Sequence, residues 1–408
     1  MKEFFKVKTI DQVLEYRQLF PLMPTESVSL PDSVGRILAA DIRSDINLPD
    51  FSRSIMDGFA VKGSSTFGAS EGNPAYLTVT GNVAMGESPD ISLGPGEAVR
   101  IPTGGMLPAG ADSVVMVEHT GTIDDTTIEV YRSVAPGQNM VTVGEDIKKG
   151  EIALTGGCRI RPQEAGMLAA LGNQQVTVYK KPIIGIISTG DEIVPVDEEP
   201  GPGRIRDINT YTLSGLIRES GADPVQFGIV QDDYTALLEQ SSRAINQCDM
   251  VLVSGGSSVG ARDFTIEVIS AMQDAAILFH GISISPGKPT ILAKVKSKAF
   301  WGLPGHVVSA MIVFSRIVKP FIEHISGCRA STRDWRLTAR LSRSIASAQG
   351  RVDYIRVRLY HKEGILQAEP ILGKSGLINT MVKADGLIEI GMNTEGLDKG
   401  AEVEVIPL

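Results

Sequence analysis

The residues with the clearest chemical potential lie at positions 251–264, in the sequence VLVSGGSSVGARDF. The apolar run at its start is typical of a buried strand. The glycines that follow allow a sharp turn and bring backbone N–H groups close to a ligand. The start of the next helix then favours an anion. Asp263 would place a carboxylate beside that anion, where a bridging cation relieves the repulsion. The pattern predicts a phosphate site with Mg²⁺, although an ordinary strand-to-helix turn explains the glycines as well.

Similar loops recur nearby, at 182–194 (PIIGIISTGDEIV), 282–289 (ISISPGKP) and 300–310 (FWGLPGHVVSA). Each begins with an apolar run that reads as a strand and continues into a polar loop. If these strands are parallel, their carboxyl ends share the sheet edge at which open α/β sheets bind ligands. We therefore expect the following loop residues to converge there: Thr189, Gly190, Glu192, Gly255, Gly256, Ser257, Ser258, Asp263, Lys288, Pro304 and Gly305.

Two residues stand out within these loops. Glu192 follows a Thr-Gly turn and repeats the placement of a carboxylate after a loop. Lys288 is held between Gly287 and Pro289, which suits a phosphate or oxyanion partner better than a mobile surface lysine. His306 is expected to be structural or to line a loop, because no second histidine is near it in sequence to share a metal.

Four further residues have simpler local explanations. Asp57 precedes a glycine, as turn aspartates often do. Thr103 follows the strand-like run AVRIP in what reads as a hairpin turn. Asp232 stands at a helix start, where it would serve as an N-cap. Ser375 lies in a loop and has no functional weight of its own.

Composition narrows the class of protein. The 408 residues include 39 basic and 48 acidic side chains, without a basic tract, which argues against a general nucleic-acid surface. The cysteines, Cys158, Cys248 and Cys328, form no CxxC pair and fit a reducing compartment. The sequence shows neither a signal peptide nor a long apolar span. We expect a soluble cytoplasmic protein.

The order of elements predicts several domains. Thr9 is expected to cap a helix that ends before Pro21, a second helix is expected over about 33–40, and a third between Pro162 and Gly172. Short β-like runs fill 50–143, strand–helix alternation fills 180–327, and short strands return after 328. The prediction is a discontinuous elongated helical domain (1–49 and 144–179), an inserted β domain (50–143), a parallel-sheet α/β domain (180–327) and a C-terminal β-barrel or sandwich (328–408). Within the α/β domain, Asn209 or Thr210 and then Asp232 with Asp233 are expected to open helices.

The motifs occur in a recognisable order: MDGFA, IPTGG, GEDIKKGE, STGDE, GGSSVGARD, PGKP, LPGHVVSA and KSGLINTMVKADGLIEI. Over nearly its whole length the chain resembles the molybdopterin molybdenumtransferases, the family that includes the carboxy-terminal domain of gephyrin. The resemblance implies an elongated four-domain subunit, a homodimer with its cleft between subunits, and a molybdopterin-binding α/β domain. Other molybdenum cofactor biosynthesis proteins are expected as partners, and nucleic acid and membrane are not.

The implied reaction uses adenylylated molybdopterin and molybdate. A divalent metal, expected to be Mg²⁺, assists hydrolysis of the phosphoanhydride, and molybdenum remains on the dithiolene. Carried onto this chain, the family's functional positions are Asp57, Thr103, Glu192, Asp232, Asp263, Lys288, Pro304 and Ser375. Glu192, Asp232 and Asp263 would hold the metal, Asp57 and Lys288 would complete the catalytic set, and the loop residues would bind the pterin phosphate and AMP.

The chain departs from the family pattern at several loops. His306-Val307 follows LPG where Asn-Pro is usual, Ser285 precedes PGKP where a basic residue is usual, and residues 140–142 (MVT) lack an expected arginine. The loop after Gly86 is also atypical. Fewer basic residues should weaken oxyanion binding. An alternative function therefore stays open: a divergent paralogue that binds or carries a pterin nucleotide, or serves as a scaffold, without inserting metal.

Overall fold

The computed structural model describes residues 7–255, 264–329 and 335–408. The chain forms two compact units. One comprises Met1–Ala40, Gly156–Arg161 and Gln175–Leu408, and the other comprises Asp41–Thr155 and Pro162–Gln174. We refer to them as the large unit and the small unit.

The helices begin with the one predicted after Thr9. The Thr9 hydroxyl accepts a hydrogen bond from the Gln12 N–H at 3.4 Å, and the Gln12 side chain accepts one from the Thr9 N–H at 3.2 Å. This reciprocal capping box satisfies two N–H groups that the first turn leaves open. The helices are α1 (Ile10–Glu15), α2 (Pro162–Ala170), α3 (Asn209–Glu219), α4 (Tyr234–Gln247), α5 (Phe264–Ala271), α6 (Val307–Val313), α7 (Lys319–Ile325) and α8 (Asn379–Val382).

The strands are mostly short, and they group into three larger sheets and several two-stranded pairs. They are β1 (Thr25–Ser29), β2 (Ile42–Arg43), β3 (Arg53–Ser54), β4 (Gly58–Val61), β5 (Ala75–Asn82), β6 (Glu97–Ile101), β7 (Ser113–Met116), β8 (Thr120–Thr122), β9 (Thr127–Val130), β10 (Met140–Val141), β11 (Ile152–Leu154), β12 (Gln175–Tyr179), β13 (Ile183–Thr189), β14 (Ile193–Val194), β15 (Ile205–Arg206), β16 (Asp223–Val230), β17 (Met250–Ser254), β18 (Ala275–His280), β19 (Ile284–Ser285), β20 (Ile291–Val295), β21 (Lys298–Leu303), β22 (Leu337–Leu341), β23 (Ile345–Ala346), β24 (Val352–Lys362), β25 (Ile365–Pro370), β26 (Gly386–Ile390), β27 (Gly396–Leu397) and β28 (Glu402–Pro407).

The α/β sheet of the large unit has the order β16-β13-β17-β21-β20-β18. Its first four strands are parallel, β20 runs antiparallel to β21, and β18 runs antiparallel to β20. Every residue of β17 is buried, because apolar clusters cover both faces of the sheet. The sequence-based prediction of a buried strand over residues 251–253 is therefore confirmed. The carboxyl ends of β16, β13, β17 and β21 lie at one edge.

One of the predicted loops belongs elsewhere. The strand before the PGK turn, β19, pairs in parallel with the start of β24, with Ser285 opposite Asp353. The expectation that this turn lies on the parallel sheet's edge is wrong. An alternating apolar pattern predicts a strand, but over two residues it does not select the sheet in which the strand pairs.

The C-terminal part of the large unit is a closed barrel. The strands follow the order β24-β25-β22-β28-β26, and β26 pairs back with β24, which removes the sheet edges. Its interior contains the buried side chains of Val357, Ile388 and Val405. The predicted barrel-like domain is confirmed.

The small unit contains the predicted β domain. Its six-stranded sheet has the order β7-β4-β6-β5-β9-β8, with buried apolar side chains on both faces. Gly58 in β4 lies so close to the Val115 carbonyl that a β-carbon there would overlap it. The helix expected after Pro162 is present as α2, and Gly172, with φ of +77°, follows it as the C′ residue.

The helix expected over 33–40 is absent. Residues 31–33 form a short 3₁₀ turn, and Gly35 has φ of +84°. Ile37 and Leu38 are buried through strand-like bridges to Arg159 and Val178. The apolar pair was read as one face of a helix, but backbone pairing with distant residues determines its conformation. No helix within the described ranges is long and apolar enough to cross a membrane.

Candidate active site

Asp232 is held at the ligand edge by the neighbouring strand. Its Oδ1 accepts a hydrogen bond from the Thr189 hydroxyl at 2.9 Å, and its N–H donates to Asp191 Oδ1 at 3.1 Å. The cap of α4 is instead Asp233, whose Oδ1 accepts from the Ala236 N–H at 2.8 Å. The simpler explanation of Asp232 as an N-cap is therefore wrong. Its carboxylate faces the end of β13, and Oδ2 makes no hydrogen bond within the described ranges.

Glu192 folds back over the turn that follows β13. The Gly190 N–H donates to the Val230 carbonyl at 3.2 Å, which fixes this turn beside β16. A β-carbon on Gly190 would lie 2.8 Å from Glu192 Oε2, so the carboxylate occupies the space that a side chain would fill. Glu192 and Asp232 thus come from adjacent strand ends. Carboxylate oxygens are the hard donors that Mg²⁺ prefers, so these residues fit the expected metal in ligand type.

The third expected metal ligand, Asp263, lies outside the described residues, as do Gly256, Ser257 and Ser258. Within the ranges that the structure covers, no three His, Cys, Asp or Glu side chains cluster as a metal site. Of the three carboxylates predicted to hold the metal, the described residues therefore include two, those of Glu192 and Asp232.

Glycines let three loops pack against one another at this edge. Gly255 has φ of +114°, and a β-carbon there would overlap the Thr189 carbonyl oxygen. Its N–H donates to the Leu303 carbonyl at 3.3 Å, and Gly305 lies close to its α-carbon. Thr189, Gly190, Gly255, Pro304 and Gly305 therefore meet as predicted, although Lys288 is positioned differently.

Asn209 ties α3 to two of these loops. It is the first residue of α3 and not its N-cap. Its Nδ2 donates to Ser254 Oγ at 2.6 Å and to the Gly305 carbonyl at 2.8 Å. Its Oδ1 is buried without a hydrogen-bond partner in the described chain. The sequence showed only an asparagine at a predicted helix start. Such a residue usually predicts an N-cap, not a side chain that connects two loops.

A buried carboxylate that sequence reasoning missed supports the same edge. Asp207 is 7% exposed. Its Oδ1 accepts from the Ser188 hydroxyl at 3.1 Å and from the Thr210 N–H at 3.1 Å, and its Oδ2 accepts from the Thr210 hydroxyl at 2.5 Å. Asp207 therefore binds the first turn of α3, whose N-cap position is Ile208, and joins that turn to the end of β13. An aspartate three residues before Thr210 was the signal for this contact.

A cavity of about 590 Å³ in the large unit contains the other predicted side chains. Lys288, Pro304 and Ser375 line it, and so do His306 and Arg351. Most of the residues that line this cavity come from two stretches that are far apart in sequence, 282–309 and 349–375. The structure therefore brings Lys288 and Ser375 together, as the family resemblance implied.

Arg351 is a cavity residue that the sequence did not reveal. Its Nε lies 2.9 Å from Asp353 Oδ1, and Ser347 donates to Asp353 Oδ2 at 2.7 Å. Burial raises the pKa of Asp353, but hydrogen bonds from Ser347 and Ser285 and the charge of Arg351 outweigh it and lower that pKa below its usual value. Asp353 is thus ionised and fixes Arg351. The signal was an arginine at the start of a strand, which alone reads as a solvated charge.

His306 contacts Ser375 directly. The His306 Nδ1 and the Ser375 Oγ are 2.9 Å apart, and the Val308 N–H donates to the Ser375 carbonyl at 3.0 Å. The loop that was given no functional weight is therefore bonded to the start of α6. His306 also lines the cavity that contains Lys288.

Asp57 and Thr103 meet in the small unit. The Thr103 N–H donates to Asp57 Oδ1 at 2.7 Å. Hydrogen bonds from the backbone and side chain of Thr103 lower the pKa of Asp57, so its exposed carboxylate is ionised. Asp57 also lines a cavity of about 450 Å³, together with Asn82 and Arg100. Each was read locally as a turn residue, and the structure shows that the turn at Thr103 binds the carboxylate of Asp57.

Three family models match the chain in order. The MoeA N-terminal region (domains I and II) matches residues 8–172, the probable molybdopterin binding domain matches 185–324, and the MoeA C-terminal region (domain IV) matches 338–408. Together, the three matches include most of both compact units.

Relatives match over nearly the full length. A putative molybdopterin biosynthesis protein of Methanocaldococcus jannaschii is 37% identical over 93% of this chain and 91% of its own. The molybdopterin molybdenumtransferase of Bacillus subtilis is 33% identical over 94% of this chain and 89% of its own. The similarity therefore covers all of the domains and not one domain alone.

Solved structures give the same result. A molybdopterin biosynthesis MoeA protein of Pyrococcus horikoshii superimposes with a TM-score of 0.78 at 38% identity, covering 98% of this chain and 99% of that chain. A second one, from the same organism, has a TM-score of 0.83 at 32% identity and covers 99% and 100%. The chain belongs to the molybdopterin molybdenumtransferase family, known by its MoeA regions.

Proposed function

We propose that this protein inserts molybdate into adenylylated molybdopterin, with Mg²⁺-dependent hydrolysis of the phosphoanhydride and release of AMP. Family membership assigns the coarser function, which is molybdenum cofactor biosynthesis by a transferase. The observation that carries the finer proposal is the hydrogen bond between Thr189 and Asp232 at the edge where the glycine loops meet. That contact supports the proposal because it holds a carboxylate at the edge where the proposed phosphate-binding loops begin.

The carboxylates of Glu192 and Asp232 are the residues that would hold Mg²⁺, with Asp263 as the third. When bound, the metal neutralises charge on the phosphoanhydride and lowers the pKa of water. Thr189 holds Asp232 Oδ1, which leaves Oδ2 to face a ligand. Gly255, where no side chain fits, lets the end of β17 pack against the Thr189 carbonyl at this edge.

The 590 Å³ cavity suits the oxyanion and the dithiolene end of the pterin. Lys288 and Arg351 supply positive charge to its wall, and Asp353 keeps Arg351 in place. A guanidinium and an ammonium make charge-assisted hydrogen bonds to an oxyanion, which favours molybdate over a neutral ligand.

The direct test follows the two products separately. The protein is incubated with adenylylated molybdopterin, MgCl₂ and molybdate, and both AMP and metal-loaded cofactor are measured over time. We expect both to appear with equal yield, and we expect chelation of divalent metal to stop AMP release. AMP release without loaded cofactor would contradict insertion, and the absence of both would contradict the enzyme.

A second candidate function is a pterin-nucleotide carrier or scaffold. Ser285 favours it, because this residue provides no positive charge at the cavity and instead bonds to Asp353. A carrier would bind adenylylated molybdopterin tightly without turnover. The assay above separates the two, since only the enzyme releases AMP.

We also propose a homodimeric cytoplasmic protein that works with other proteins of molybdenum cofactor biosynthesis. The support is the family relationship, together with the small-molecule reaction proposed here. Light scattering at micromolar concentration tests the dimer directly.

A further inference from the structure

Within the described residues, one imidazole nitrogen of His306 makes a hydrogen bond and the other does not. Nδ1 lies 2.9 Å from Ser375 Oγ. Within the described ranges, Nε2 has no hydrogen bond or ion pair. His306 is exposed and lines the same cavity as Lys288.

The ring is oriented by the loop that carries Ser375. The backbone carbonyl of Ser375 accepts from the Val308 N–H at 3.0 Å, which fixes that loop to α6. Gly376 lies against the ring edge, where a β-carbon would be 3.7 Å from His306 Cδ2. The hydroxyl of Ser375 thus selects the ring orientation, and the hydrogen bond at Nδ1 leaves Nε2 for a ligand.

The charged groups around His306 are predominantly basic. Lys288 and Arg351 line the same cavity, and Lys374 precedes Ser375 in the loop that contacts the ring. The carboxylate of Asp353 lies beside this cavity and is bonded to Arg351. A dianion in the cavity is attracted to an imidazolium as well as to these cations, so anion binding and protonation of the ring support each other.

We propose that His306 is a proton-dependent ligand of the tetrahedral oxyanion in this cavity, with Nε2–H donating to an oxygen of molybdate and Ser375 orienting the ring. The inference rests on the proposed function, since it names molybdate as the occupant. It assigns a role to a residue at which this chain departs from the pattern of its family.

The sign of the pH dependence follows from linkage. A bound dianion is attracted more strongly to the imidazolium than to the neutral imidazole, so binding takes up a proton. Affinity therefore increases as pH falls through the imidazole range, by at most about tenfold per pH unit for one proton. A neutral side chain at this position abolishes that dependence.

Calorimetry of molybdate binding tests the proposal. The wild-type protein, H306N and H306K are titrated at about pH 6.5 and 8.5, each in two buffers of different ionisation enthalpy, so that proton uptake is counted directly. We expect wild-type binding to take up protons and to weaken severalfold at the higher pH. H306N should bind about tenfold to a hundredfold more weakly at the lower pH, without proton uptake.

Two further variants make the result decisive. H306K keeps a positive charge at both pH values, so its affinity should stay close to that of the wild type at low pH and change little with pH. His361 is exposed on β24 and does not line the cavity, so H361N is the matched control and should behave like the wild type. Equal affinity and equal proton uptake in H306N and the wild type would overturn the proposal, whatever their melting temperatures.

The outcome is distinguishable from failure of the proposed function. Molybdate binding is measured without pterin, so proton-linked binding can be present in a protein that releases no AMP. Conversely, full insertion activity with proton-independent molybdate binding would leave the enzyme intact and remove the role of His306.

Discussion

At the scale of single residues, adjacent aspartates have different roles. Asp232 accepts from Thr189 at the ligand edge, and Asp233 caps α4. A helix-start pattern cannot distinguish the two, because both precede the same apolar periodicity. Only the position of β13 beside β16 selects Asp232, and this is a long-range contact that family resemblance anticipated and local sequence did not.

The neighbouring pair gives a matched test. We predict that D232N abolishes AMP release, because an amide cannot replace a charged metal ligand. D233N should keep both activity and stability, since asparagine caps a helix about as well as aspartate. AMP assays and thermal melts of both variants check this, and wild-type turnover in D232N would contradict a metal role.

The same reasoning applies to the other proposed ligands. We predict that E192Q and D263N also lose AMP release while keeping the wild-type melting temperature. Glu192 is exposed and folds over Gly190, so the change removes charge without opening a core cavity. A fall in melting temperature that parallels the loss of activity would contradict this prediction.

Asp353 gives a pH-dependent prediction. Its folded-state pKa is lowered, so its contribution to stability is present above the unfolded pKa of about 3.9 and is lost as pH falls through the folded value. D353N should therefore be less stable than the wild type near neutral pH, and the difference in melting temperature should shrink in acid. Differential scanning calorimetry over a pH series measures it. A difference that stays constant with pH would show that the carboxylate charge is not involved.

At the scale of elements, continuous apolar runs predicted the parallel strands, Pro162 and Gly172 predicted the ends of α2, and short strands with glycine turns predicted the barrel. They did not place β19, whose two residues pair with the barrel, or residues 33–40, which are paired to distant strands. Because β19 pairs with β24, Lys288 and Arg351 line the same cavity. Neither the turn at Lys288 nor the strand after Arg351 indicates this proximity by itself.

The loop packing at the ligand edge predicts a contrast between two glycines. Gly255 and Gly228 both have positive φ, of +114° and +84°. A β-carbon at Gly255 would overlap Thr189, whereas one at Gly228 would have nothing within 4 Å. G228A should cost only the backbone strain, about 1 kcal/mol. G255A should cost more and should also abolish binding of adenylylated molybdopterin.

Equilibrium titration of fluorescence with the pterin nucleotide measures the second effect, and thermal melts measure the first. Equal stability and equal pterin affinity in the two variants would contradict close packing of the loops after β13, β17 and β21. The comparison separates the requirement for positive φ, which both positions share, from the requirement for space.

At the scale of the whole molecule, the family relationship predicts a homodimer whose active site takes Asp57 from one subunit and Asp232 from the other. The two carboxylates belong to different compact units of the chain. Each unit holds its own carboxylate by a local hydrogen bond: Thr103 binds Asp57, and Thr189 binds Asp232. The assembly of both into one site is the part of the prediction that depends on subunit pairing.

Subunit complementation tests this arrangement. We predict that D57N and D232N are each inactive alone, because every site in either dimer lacks one carboxylate. When the two are mixed and allowed to exchange subunits, half of the dimers become mixed, and one of the two sites in each mixed dimer regains both carboxylates. AMP release should therefore recover to about one quarter of the wild-type rate. If Asp57 instead serves the site of its own subunit, both sites of every mixed dimer stay incomplete and the mixture remains inactive. A monomer by light scattering at micromolar concentration would contradict the same prediction independently.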